Sequence, residues 1–177
     1  MTTNEIFIRS VLRRLKDYKL LGEKTFEQLD DQQINFQPNE ACNSIAIIVK
    51  HLHGNMLSRW TNFLTEDGEK PWRNRDEEFE LKQLTKAQII LLWNEGWETF
   101  LQSLSSLTDN DLTKTVSIRK EKLEVIDAIN RQVAHYSYHV GQIVFLGKWI
   151  KANDWKSLSI PPKGSAAFNE KMMGEKL

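Results

Sequence analysis

The sequence has few of the residues that cross-link small secreted domains or interrupt helices. Cys42 is the one cysteine in 177 residues, so an intramolecular disulfide and a cysteine-based zinc site are both excluded. Only 8 glycines and 4 prolines occur. No apolar run approaches the length of about 18 residues typical of a membrane span, and the first residues lack a signal-like apolar core. We therefore expect a reducing, cytoplasmic setting without a membrane segment.

The chain also has no excess of charge of either sign. Lys and Arg number 24, Asp and Glu number 24, and the isoelectric point is near 6.9. Without a net positive field, nucleic acid and anionic membranes are poor partners. Hydrophobic residues make up 40% and charged residues 27%, which is ordinary globular usage and excludes intrinsic disorder. The length predicts one domain over residues 1–177.

What the sequence does contain is helical periodicity. Apolar residues recur at three- and four-residue spacing in four segments, at about 5–29, 44–64, 86–107 and 123–151. Asn43 or Ser44 can cap the second segment. Thr85 and Gln88 have the spacing of a capping box before the third. These features predict an all-α fold in which four long helices form a bundle.

The segments between the helices carry weaker signals. Residues 30–41 are predicted to be a polar loop, and residues 65–80 a charged excursion over the surface. Within the excursion, Trp72 either plugs the end of the core or forms the wall of a ligand pocket. The alternation in residues 113–119 predicts a short extended arm or hairpin before the last helix. The tail after residue 152 is expected to pack irregularly and then fray.

The positions of the four histidines give the strongest indication of a functional site. His135 and His139 are four residues apart in the last helix, so their rings lie on one face, one turn apart, as two ligands of one metal ion would. The remaining two, His51 and His53, are both in the second helix and face away from each other. His51 lies closer to the inner face and is the predicted third ligand, with His53 at the surface or rim. The alternative is that these are core histidines with ordinary hydrogen-bond partners.

Other catalytic motifs are missing. The sequence has no HExxH, GxSxG, GxGxxG or P-loop pattern, which excludes the familiar metalloprotease, serine-hydrolase and phosphate-binding readings. Cys42 has no histidine at a convincing spacing and is expected to be a small structural residue. Asn55 and Gln142 are candidates to orient a substrate or water, or only to satisfy the hydrogen bonds of the imidazole rings. No catalytic acid or base can be assigned.

Three stretches of sequence carry a family resemblance. They are NSIAIIVKHLHGNMLSRWTNFLTEDGEKPWRNRDEEF, TVSIRKEKLEVIDAINRQVAHYSYHVGQIVFLGKWI and WKSLSIPPKGSAAFN. Together they resemble the uncharacterised-domain branch of the DinB-like (YfiT-like) superfamily, and the similarity covers nearly the whole chain. The resemblance implies an up-down-down-up four-helix bundle, often dimeric. It also implies a divalent metal held by one histidine of the second helix and the HxxxH pair of the last. By position, those residues are His51, His135 and His139.

The resemblance also suggests a function. Some relatives transfer low-molecular-weight thiols such as bacillithiol, mycothiol or glutathione, or isomerise maleylpyruvate, while many have no demonstrated reaction. We therefore expect a homodimeric, metal-dependent transferase that binds Zn or Ni and handles a small-molecule substrate, a low-molecular-weight thiol. The alternatives are a non-catalytic metal or small-ligand binding protein related to stress, and an interaction scaffold that retains a histidine cluster.

Overall fold

The computed structural model describes residues 2–174, and most of them are helical, consistent with the predicted all-α class. The α-helices are α1 (Thr3–Glu27), α2 (Asp31–Asn35), α3 (Ile45–Trp60), α4 (Lys86–Ser105), α5 (Val125–Lys151) and α6 (Ser165–Gly174). One antiparallel pair of strands, β1 (Thr115–Ile118) and β2 (Glu121–Glu124), precedes α5. Within residues 2–174 no helix is both long and apolar enough to cross a membrane.

The helix boundaries follow from capping residues. Ser44 begins α3 by accepting the backbone N–H of Ile47, and Thr85 forms the expected capping box with Gln88 before α4. The prediction that the second helix continues to about Leu64 was wrong, because α3 ends at Trp60. Asn62 has a positive φ of 52°, which a helix does not allow, and its carbonyl accepts N–H groups from the following turn.

Two segments expected to be irregular are helical in part. The predicted polar loop contains α2, which starts at a capping box between Asp30 and Gln33 and buries Ile34 completely. The single buried apolar residue is enough to anchor one helical turn in an otherwise polar sequence. In the tail, residues 165–174 form α6 instead of packing irregularly, and all of this helix is exposed. The fraying expected at the end of the chain falls on residues 175–177, outside the described part.

The core lies between the four long helices. α3 packs against α4, α1 against both α4 and α5, and α3 against α5. The largest fully buried side chains are aromatic, and Trp97 and Phe100 of α4 pack against Tyr136 of α5 at ring-centroid distances of 5.9 and 5.2 Å. These edge contacts add specificity to the burial of large apolar surfaces. The packing places α3 and α5 side by side, which brings the two histidine-bearing helices together.

The predicted hairpin is present and is tied to the segment after α3. β1 and β2 are joined by Arg119 and Lys120, both with positive φ, as tight hairpins require. The carboxylate of Asp67 accepts the backbone N–H groups of both turn residues and the hydroxyl of Ser117. Asp67 therefore fixes where Arg119 emerges from the hairpin.

The charged excursion is more than a surface loop. Trp72 is 57% exposed, so it does not plug the core as one of the two interpretations proposed. It lines a shallow surface pocket beside Lys50 and Leu57 instead. The buried side chains of the excursion include those of Arg73 and Glu78, which are 2% and 9% exposed. Their mutual ion pair removes the cost of burying either charge alone and turns this part of the loop inward.

Candidate metal centre

Three histidines meet where α3 and α5 pack together. His51 comes from α3, and His135 and His139 come from successive turns of α5. Their candidate ligand atoms all lie within 4.8 Å of one another, and Nε2 of His51 is 3.3 Å from Nε2 of His135. His51 and His139 are each only 6% exposed. The structure therefore brings together the three histidines that the sequence analysis selected.

The His51 ring is oriented by a carboxylate. Its Nδ1–H donates to Oε2 of Glu78 at 2.9 Å, which leaves the lone pair of the ring on Nε2, the atom that faces Nε2 of His135. The same carboxylate accepts two hydrogen bonds from Arg73, at 2.8 and 3.0 Å. Burial raises the pKa of Glu78, but the hydrogen bonds from His51 and Arg73 outweigh it and lower the pKa. Glu78 is therefore ionised, the form that accepts from His51.

The His139 ring is oriented by an amide. Its Nδ1–H donates to Oε1 of Gln142 at 2.8 Å. Its Nε2 is buried and has no hydrogen-bond partner within residues 2–174. The ring of Tyr138 lies against the imidazole of His139, with ring centroids 4.1 Å apart. A buried nitrogen without a partner costs free energy, and a metal ion removes this cost by accepting the lone pair.

The electrostatics of the cluster favour neutral rings. Burial, followed by the proximity of His139, His51 and two arginines, lowers the pKa of His135 to about 3. Burial lowers the pKa of His139 to about 4. Neutral imidazole is the form that coordinates metal. Three imidazole nitrogen donors suit a divalent transition ion such as zinc, with at least one position left for water or substrate. The side chains present therefore fit a divalent metal ion.

His53 takes no part in the cluster. Its Nε2 lies 2.9 Å from a carboxylate oxygen of Glu95 on α4, so the ring faces a different helix. This position agrees with the expected surface or rim location. Cys42 is half-buried in the turn before α3 and is neither in the histidine cluster nor in the lining of the adjoining cavity.

Asn55 lies one turn after His51 and is held by a buried relay. Nε1–H of Trp60 donates to the hydroxyl of Tyr136 at 2.9 Å, and that hydroxyl donates to Oδ1 of Asn55 at 3.1 Å. Burial raises the pKa of Tyr136, so the hydroxyl keeps the proton that it donates. The relay fixes the Asn55 amide and leaves its NH₂ group as a donor. Asn55, His51 and His135 all line a cavity of about 270 Å³ beside the cluster.

Glu78 is the residue of the candidate site that the sequence did not predict. It lies in the segment interpreted as a surface excursion, 27 residues after His51. A signal was present in α3 itself, since Gly54 occupies the middle of a helix, where glycine is disfavoured by up to about 1 kcal/mol relative to alanine. A Cβ atom at position 54 would overlap Oε1 of Glu78. The glycine provides the space through which the carboxylate reaches His51.

This contact predicts the effect of Gly54→Ala. We expect the variant to keep its helical content, because alanine favours a helix, but to bind Zn²⁺ about 10-fold to 100-fold more weakly, the usual cost of disturbing a residue that orients a ligand. Calorimetric titration with Zn²⁺ measures the change. Gly141→Ala is the matched control in α5, since a Cβ there meets nothing within 4 Å. Equal Zn²⁺ affinities for the two variants would show that Glu78 does not orient His51.

Comparison with known proteins gives a family without an assigned activity. A family model described as "Protein of unknown function (DUF1572)" matches residues 2–164. This range holds all three clustered histidines and Glu78, and the chain belongs to that family. No curated protein matches the chain at a significant level. Function is therefore inferred from the side chains themselves.

Proposed function

We propose that the protein is a divalent-metal-dependent transferase that handles a low-molecular-weight thiol. The observation that carries the proposal is the histidine cluster, in which His51 and His139 use Nδ1–H for hydrogen bonds, so that the lone pair of each ring lies on the Nε2 that belongs to the cluster. A structural metal site normally closes its coordination with four protein ligands, whereas three ligands leave room for water or substrate. His51, His135 and His139 would hold the ion. Zinc and nickel are the expected ions, because both accept imidazole ligands readily.

Membership of the DinB-like superfamily is part of the proposal. It is supported by the resemblance of the sequence around the histidines and by the arrangement of α1, α3, α4 and α5, which suits an up-down-down-up bundle. The HxxxH pair and the preceding histidine lie on the two helices where that superfamily would place its ligands. A homodimer and a cytoplasmic location remain predictions of the sequence.

The proposed reaction needs a nucleophile at neutral pH. A divalent ion bound by the three histidines would supply it by lowering the pKa of a thiol or water. In the transfer, the thiolate sulfur forms a bond to an electrophilic carbon while the bond from that carbon to its leaving group breaks, and the thiol proton passes to solvent. Burial lowers the pKa of His135 and of His139, which keeps these two rings neutral. Glu78 orients the ring of His51, and Gln142 orients the ring of His139.

One observation favours the alternative of a non-catalytic metal or small-ligand binding protein. Among the described residues, no Asp or Glu lines the cavity beside the histidines. The nearest carboxylate, that of Glu78, is already occupied by His51 and Arg73. No carboxylate is therefore available as a general acid or base at the reaction centre, and the transferase proposal depends chiefly on activation of the thiol.

The proposal predicts both metal binding and turnover. We expect about one Zn²⁺ or Ni²⁺ per chain, and the loaded protein should accelerate the conjugation of small thiols to an electrophile such as monochlorobimane. Removing a ligand changes the ion's occupancy, so His139→Ala should lose the acceleration while remaining helical. His53→Ala is the control and should retain it. Elemental analysis, circular dichroism and initial rates with and without chelator measure these quantities.

Two outcomes separate the candidate functions. If neither ion binds at neutral pH, the metal-dependent proposal is wrong. If an ion binds but no thiol in a broad panel reacts faster than the uncatalysed background, the transferase is excluded and the binding-protein alternative stands.

A further inference from the structure

The cavity beside the histidine cluster has an unusual lining. Five of the chain's eight arginines line it, and none of its sixteen lysines does. The arginines come from four separate parts of the chain: Arg59 on α3, Arg73 and Arg75 in the excursion, Arg119 at the hairpin and Arg131 on α5. In a protein with a formal charge of zero, this is a strong local concentration of one cation. Arginine differs from lysine in presenting a planar fork of donors that matches carboxylate and phosphate oxygens.

The arginines are not fully neutralised by partners. Three carboxylates pair with them: Glu69 with Arg59 and Arg119, Glu78 with Arg73, and Glu121 with Arg131. Five guanidinium groups therefore face three carboxylates. None of these carboxylates is part of the cavity lining. The cavity consequently presents excess positive charge.

Arg75 and Arg131 are the two groups most available to a ligand. Within residues 2–174, Arg75 has no carboxylate partner, and its guanidinium lies over the ring of Phe79 at 4.9 Å. Arg131 pairs with Glu121, but these two side chains are 48% and 62% exposed, and exposed pairs are weak. Arg59 and Arg73 are buried and hold their carboxylates, so they have structural roles as well.

Two neutral side chains complete the lining, one with an acceptor oxygen and one with a donor NH₂ group. Gln132 is 3% exposed, and its Oε1 has no hydrogen-bond partner in the described part of the chain. A buried polar atom of this kind is normally satisfied, so its position in the cavity wall points to a ligand. Asn55 offers the NH₂ group that the Tyr136 relay leaves free. Amide groups next to guanidinium groups can bind the polar remainder of an anionic molecule.

We propose that this cavity binds the oxyanion group, a carboxylate or phosphate, of a small-molecule substrate, and that Arg75 and Arg131 recognise that group. The inference deepens the proposed function, because it names the charge of the molecule handled by the same site. The volume of about 270 Å³ suits a small acid and is too small for a polymer segment to enter. Oxyanion binding at the arginines would hold the rest of the substrate next to the histidines.

The test measures anion binding separately from metal binding. Inorganic phosphate and malonate are titrated calorimetrically into metal-free protein and into protein loaded with one equivalent of Zn²⁺, with free ion removed. We expect at least one of the two anions to bind. The double variant Arg75→Gln/Arg131→Gln should bind it at least about 10-fold more weakly, since each lost charged hydrogen bond is worth that much. Its Zn²⁺ affinity should match wild type. Arg14→Gln, at an exposed position of α1, is the matched control and should change neither affinity.

The outcomes distinguish this inference from the proposed function. Wild-type affinity for both anions in the double variant, or no binding of either anion by wild type, overturns the oxyanion site. Anion binding that requires Zn²⁺ but is as tight in the double variant as in wild type also overturns the oxyanion site. Loss of anion affinity in the double variant supports it even if no Zn²⁺ binds, in which case only the metal-dependent function is wrong. Tighter binding of malonate would indicate that the site recognises a carboxylate, and tighter binding of inorganic phosphate would indicate a phosphate.

Discussion

Replacing His51 by alanine is expected to lower the affinity for Zn²⁺ by more than about 100-fold. Disturbing a residue that merely orients a ligand costs about 10-fold to 100-fold, and removing a ligand costs more. His51 supplies one of only three clustered nitrogens, and its Nε2 lies 3.3 Å from that of His135. His53→Ala should leave Zn²⁺ affinity at the wild-type value, because that ring lies against Glu95 on α4.

Comparing His51→Ala with His53→Ala tests whether Zn²⁺ affinity depends on the position of the lost histidine or only on the number of histidines. Both remove one histidine from the same helix, two positions apart, and both leave the aromatic core untouched. Zn²⁺ titration with circular dichroism at each step measures binding and folding together. Equal losses in the two variants would mean that Zn²⁺ does not select His51, and a larger loss for His53→Ala would place the metal on the side of α3 that faces α4.

The histidine cluster was predictable because it depends on local periodicity. A four-residue separation puts His135 and His139 on one face of a helix, and the apolar stripe of α3 places His51 closer to the core than His53. The capping residues Ser44 and Thr85 likewise mark helix starts through contacts only three residues away. Each of these features depends on residues that are only a few positions apart in the sequence.

The rest of the site depends on contacts between distant segments. Glu78 reaches His51 across 27 residues, and the cavity gathers arginines from four separate parts of the chain. The side chain of Glu78 turns inward because it pairs with the buried Arg73 and because Gly54 leaves space for it. A short stretch of sequence does not reveal either contact. Sequence periodicity predicted that the three histidines lie close together on two helices but could not show what orients their rings.

The dependence on Glu78 leads to the second large effect. Glu78→Ala should lower the free energy of unfolding by about 3–5 kcal/mol, because it leaves Arg73, whose side chain is 2% exposed, as a buried charge without its partner. It should also weaken Zn²⁺ binding about 10-fold to 100-fold, since Nδ1–H of His51 loses its acceptor. Glu77→Ala is the matched control. That neighbouring side chain is exposed and, within residues 2–174, accepts a hydrogen bond only from Asn74, so both quantities should stay near wild type.

A double variant separates the two effects of Glu78. In Glu78→Ala/Arg73→Met no unpaired charge remains buried, and replacing a buried ion pair by apolar groups is often neutral for stability. We therefore expect urea denaturation to show recovery of most of the unfolding free energy, while Zn²⁺ titration still shows weak binding, because His51 remains without an acceptor. Recovery of Zn²⁺ affinity together with stability would show that Glu78 acts on the metal site only by keeping the excursion folded. Weak Zn²⁺ binding in a stable double variant would instead identify the carboxylate as the group that orients His51.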